Sequence, residues 1–76
     1  MNDSIIDILN EVLCENYTQE NINSQHIQFK VLPKWDSLAH LSIMSELEDK
    51  FNLDISIEDM QELANYAKIK EFIEKY

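Results

Sequence analysis

No glycine and no arginine occur anywhere in this chain, and proline, cysteine and tryptophan occur once each. The lack of arginine, with six lysines scattered along the chain, disfavours nucleic acid as a partner, because a phosphate backbone rewards clustered cations. A single cysteine, Cys14, excludes an internal disulfide, and the two histidines lie too far from it for metal-ligand spacing. Cys14 is therefore expected as a small buried helix residue. No apolar run approaches a membrane span, and the start, MNDSIIDIL, is acidic where a secretory signal would be basic. The expectation is a soluble, cytoplasmic protein. With 76 residues the chain suffices for one domain, residues 1–76, burying only roughly 60 % of its unfolded surface. That leaves little room for a deep catalytic cleft.

What the chain has in plenty is negative charge. The net charge of −9 is unevenly spread: −3 over residues 1–35, −7 over 36–62 and +1 over 63–76. Such a face suits basic protein partners approached by long-range attraction, and it also serves simply to keep the surface solvated.

Hydrophobic periodicity predicts an all-α fold. Ile5, Ile6, Leu9, Val12 and Leu13 recur at helical spacing from Ser4 to about Glu15, with Ser4 and Asp7 as a capping pair. From Asn16 to Trp35 the periodicity dissolves, leaving Ile22, Ile27, Phe29, Val31 and Leu32 to lie over the open end of a bundle. A second helix follows Asp36 as N-cap, with Leu38, Leu41, Met44, Leu47 and Phe51 as its apolar stripe, and ends near Asn52, the best left-handed residue available without glycine. Ser56 with Asp59 opens a short third helix, and Asn65 caps a fourth that carries Ile69, Phe72, Ile73 and Tyr76 on one side. The expected architecture is a four-helix bundle with a short third helix and a long first loop.

Three chemistries can be tested against these residues. A hydrolase built on Ser37 needs a base, and His40, three residues on, is the nearest candidate, with nothing evident to orient it. His40 is expected instead at the solvent edge of its helix, while Trp35 anchors the loop to the bundle. Calcium binding by NLDISIEDMQEL fails because Ile57 and Leu63 stand where an EF-hand loop needs Gly and Glu. Modification of Ser37 has a favourable setting: its hydroxyl lies in the first turn of a helix, where free N–H groups stabilise an attached phosphate.

In Asp36-Ser37-Leu38 at the start of the second helix, in the acidic run SIMSELEDKFNLDI and in the order of helices and loops through AKIKEFIEKY, the chain resembles the acyl carrier protein family. That resemblance implies a non-catalytic carrier that holds acyl or aminoacyl groups as thioesters on a 4′-phosphopantetheine arm attached to Ser37. It implies that Asp36 and Leu38 are recognised by the phosphopantetheinyl transferase, which would supply the base and the magnesium. Glu46, Glu48 and Asp49 would meet basic patches on loading ligases or transferases and on downstream biosynthetic enzymes, with Ile43 and Met44 as the apolar part of that contact, or with Met44 in the core instead. The Trp-Asp-Ser-Leu form with His40, and the absence of the glycine that often precedes this motif, are more similar to carriers of specialised pathways: polyketide or peptide assembly, or modification of surface polysaccharides. A monomer with no metal of its own is expected. The alternative is an unmodified acidic interaction module of carrier-like fold that binds a basic partner.

Overall fold

The first helix begins one residue earlier than its serine suggests. The structure, a computed structural model, describes residues 3–75 and contains four helices and no strand among them: α1 (Ser4–Leu13), α2 (Ser37–Phe51), α3 (Ile57–Glu62) and α4 (Tyr66–Glu74). The N-cap of α1 is Asp3, not Ser4: its Oδ1 accepts from the backbone N–H of Ile5 at 2.9 Å and of Ile6 at 3.3 Å. A carboxylate at this position satisfies two otherwise unpaired donors and faces the positive end of the helix dipole, which a serine hydroxyl one step inside the helix cannot do. Asp3 also accepts from the Tyr66 hydroxyl at the start of α4, so the same side chain ties the first helix to the last.

The other helix ends follow the expected chemistry. Asp36, Ser56 and Asn65 cap α2, α3 and α4 through bonds to the N–H groups of Ala39, Asp59 and Lys68. Asn52 closes α2 in the left-handed conformation (φ 55°, ψ 53°). Cys14 does the same for α1 (φ 54°), so it is an exposed C-cap rather than a buried helix residue. In a chain without glycine, the sharp exit from α1 falls on a residue with a Cβ, at a cost of about 1–2 kcal/mol.

The core departs from the expected stripe in α2. Its buried residues are His40, Ile43, Met44 and Leu47, whereas Leu38 and Leu41 are 77 % and 57 % exposed. The reason lies in the geometry of the repeat. Each step of three residues falls about 60° short of a full turn, so the series 38, 41, 44 spirals away from the buried face and leaves Leu38 roughly 170° from its centre. Trp35 takes the interior volume at this end of the helix and is fully buried.

The long segment between α1 and α2 is irregular but packed. Ile22 and Ile27 are buried, the Asn10 side chain clamps both backbone groups of Tyr17, and the Phe29 N–H donates to the Ala64 carbonyl. Lys34 pairs with Glu15 at 2.7 Å across the same segment. α1 packs chiefly on α2 and also on α4. The short α3 buries no side chain of its own. On α4, Tyr66 and Ile69 are buried and Phe72 and Ile73 half-buried; Tyr76, expected on the same side, lies outside the described residues. The radius of gyration is 11.3 Å, against about 11 Å for a compact chain of this length.

Candidate functional site

Ser37 is the first residue of α2 and its side chain is exposed. The turn is built from both sides: Asp36 Oδ1 accepts from Ala39 N at 2.9 Å, and the Asp36 carbonyl accepts from His40 N at 2.8 Å. This frame holds the Ser37 hydroxyl at the positive end of a fifteen-residue helix, a setting that favours an attached anionic group.

Beside Ser37 runs an open groove of about 400 Å³, lined by Phe29, Lys30, His40, Leu41, Ile57, Met60 and Gln61. Ile57, at the first turn of α3, is 74 % exposed, and with Leu41 it makes an apolar rim. Leu38 stands on the outer side of the same end of α2. The carriers of this rim were only half legible from sequence. The signal was the spacing: Ile57 directly follows the cap Ser56 and stands three residues before Met60, on the same face of α3.

His40 is not at the solvent edge. It is 5 % exposed, stacked on Phe29 with ring centroids 3.9 Å apart and planes 6° from parallel. Trp35 Nε1 donates to His40 Nδ1 at 2.9 Å, which fixes the tautomer: the proton is on Nε2, and it is donated to the Met60 carbonyl at 2.6 Å. Burial lowers the His40 pKa below the usual imidazole value, aided by the nearby Lys30 charge and opposed by the bond to Met60. With both nitrogens engaged, this ring is not free to take a proton from Ser37. No family model, curated protein or solved structure matches the chain.

The remaining candidate residues are spread over other surfaces. Ile43 and Met44 are fully buried in the core, so neither offers a surface to a partner, and the exposed apolar residues of α2 are Leu38 and Leu41 instead. Glu48 spends its carboxylate on the chain itself, accepting from Ile55 N at 2.9 Å and shaping the exit from α2. Glu46 and Asp49 are exposed but share a shallow surface with Asp7 and Glu11 of α1 and with Lys50. At 1.5 Å per residue, Glu46 lies roughly 14 Å along the helix from Ser37. The groove itself is lined by no acid; Asp36 and Glu58 are exposed and adjoin its residues Ser37 and Ile57 in sequence. Among the described residues, no group of three or more His, Cys, Asp or Glu is arranged to hold a metal, and no helix is long and apolar enough to cross a membrane.

At the far end of the bundle, the Tyr66 hydroxyl is pushed up to about 12 by burial and by its bond to Asp3. Burial works against the Asp3 carboxylate, but the bonds from Tyr66, Gln19, Ile6 and Ile5 hold it below the usual range.

Proposed function

We propose that the protein is an acyl carrier of the phosphopantetheine-dependent kind, with Ser37 as the attachment site. The observation that supports this reading best is an exposed serine at the N-terminus of the longest helix, capped by Asp36 and opening onto an apolar groove. The residues fit the group. Ser37 Oγ has solvent access for an in-line reaction, the helix N-terminus suits a phosphodiester, and Phe29, Leu41, Ile57 and Met60 provide an apolar bed beside it.

In the proposed reaction, Ser37 Oγ attacks the pantetheine-side phosphorus of coenzyme A. The new bond is Ser–O–P, the pyrophosphate P–O bond breaks, adenosine 3′,5′-bisphosphate leaves, and the hydroxyl proton goes to a base on the transferase. The engagement of both His40 nitrogens agrees with a base supplied from outside. The attached 4′-phosphopantetheine provides a thiol on which cargo is held as a thioester. The chain itself then contributes position rather than catalysis: tethering raises the cargo's effective concentration at each enzyme visited. Asp36 and Leu38 stand beside Ser37 for recognition by the transferase, and Leu41, Ile57 and the acidic surfaces offer contacts to enzymes with basic patches, favouring fast and transient docking. This reading carries with it a cytoplasmic setting and a monomeric shuttle.

The same exposed Leu38, Leu41 and Ile57 amid acidic side chains also suit an unmodified interaction module. Intact-mass spectrometry separates the two. The protein is incubated with coenzyme A, magnesium and a broad-specificity transferase, with Ser37→Ala as control. The carrier reading expects one phosphopantetheine-sized gain, absent in the control. No gain from folded protein with several transferases would leave the interaction module as the better reading.

A further inference from the structure

The groove beside Ser37 has a floor, and His40 forms it. The ring is stacked on Phe29 on one side and joined edgewise to two other parts of the chain, Trp35 in the segment before α2 and the Met60 carbonyl in α3. It thereby bridges the seam between α2 and α3, the route by which a chain tethered at Ser37 would reach the interior. The core that the bridge adjoins is filled: Trp35, Ile22 and Ile43 are fully buried, and Ile27 and Leu63 nearly so. Parting the seam would strand the Met60 carbonyl and the His40 Nε2–H in a partly buried setting, where unpaired polar groups are disfavoured. An alkyl chain entering there would also have to displace close-packed side chains.

The surface side of the bridge is different in character. It offers Phe29, Leu41, Ile57 and Met60 as apolar lining, with Lys30 and Gln61 as hydrogen-bond donors. At about 400 Å³ the groove is near the lower end of small-ligand sites, which run from roughly 300 to 1,000 Å³.

We infer that cargo carried from Ser37 stays in this surface groove and does not thread into the bundle, so that the protein serves short or polar acyl groups, aminoacyl groups included, rather than long alkyl chains. The inference rests on the carrier reading, and it makes His40 a specificity-determining residue that acts by closing the core.

The test uses the full chain loaded at Ser37 with acetyl, octanoyl or tetradecanoyl pantetheine, transferred from the corresponding coenzyme A thioesters. Thermal melting is followed by circular dichroism, and the emission of Trp35, the only tryptophan, reports on the floor of the groove. The expected result is a melting temperature and an emission maximum that do not change as the cargo lengthens. A melting temperature that climbs with chain length, accompanied by a shift of Trp35 emission, would mean that the chain enters the core and would overturn the inference while leaving the carrier reading intact. A protein that gains no mass with any of the three donors removes the carrier reading and this inference together.

Discussion

Replacing Trp35 by Phe probes the bridge that joins the long segment, α2 and α3. The substitution keeps an aromatic ring in a fully buried site but removes the donor that His40 Nδ1 accepts from. Leaving that buried acceptor unpaired costs about 1–3 kcal/mol. Losing the rest of the indole removes the equivalent of two buried carbon groups, at ~0.8 kcal/mol each. Together these give a loss of about 3–5 kcal/mol, against a total stability of about 4–11 kcal/mol for a domain of this size. Urea denaturation followed by far-ultraviolet circular dichroism measures the change without relying on the deleted fluorophore. A double-mutant cycle with His40→Leu isolates the bond from the volume, and a coupling of about 1 kcal/mol or more is expected. Trp35→Phe losing under about 1 kcal/mol, or a coupling near zero, would refute the view that this bond organises the site.

Other outcomes can be stated more briefly. Because burial lowers the folded-state pKa of His40, the unfolded chain binds a proton that the folded chain refuses; stability is therefore intact above about pH 6.5 and falls as the pH drops below it, by at most about 1.4 kcal/mol per unit until the folded pKa is reached. Melting temperatures between about pH 7.5 and 5.5 should show this fall in the parent chain, and a flatter profile in His40→Leu. Asp3→Ala removes the α1 cap and the partner of a buried tyrosine hydroxyl, so a loss of about 2–3 kcal/mol is expected in urea denaturation, with Asp3→Asn retaining part of it. Leu41→Ser and Ile57→Ser should each shift stability by under about 0.5 kcal/mol, whereas Ile43→Ala should cost about 2–5 kcal/mol; equal effects would contradict the burial pattern. Millimolar magnesium should raise the melting temperature more than a monovalent salt at matched ionic strength, by screening Asp7, Glu11, Glu46 and Asp49, and no difference would argue against clustered repulsion.

The helices were legible because their caps are chemical: Asp36, Ser56 and Asn65 announce a start, and Asn52 an end, through local hydrogen bonds that need no tertiary context. Where two caps compete within one residue, as with Asp3 and Ser4, the pattern of residue types is insufficient: the Asp3 carboxylate takes two backbone donors and also the distant Tyr66 hydroxyl, a partner that no local pattern reveals. The phase of α2 was hidden for a similar reason. Leu38 and Leu41 are as apolar as Met44 and Leu47, and only the packing of Trp35 and His40 shows which face turns inward. His40 itself, polar by type, gave no sign of burial because both of its bonds are to partners from other segments. Ser37 and its helix start could be found from three adjacent residues; the groove beside it required α3 and the long segment to be folded together.

The hydrogen bond between Asp3 and Tyr66 joins residues 63 positions apart, and this bears on the order in which the chain acquires its shape during synthesis. α1 is made first, yet its cap has its tyrosine partner only when the start of α4 has been made. The packing of α1 against both α2 and α4 has the same property. The part of α1 that packs on α4 must wait for the last helix, so folding is completed by the closing of the ends rather than by growth from one of them. A chain cut short before Tyr66 is therefore not a smaller version of this protein: it keeps the residues around Ser37 but lacks the element that closes the bundle which presents them.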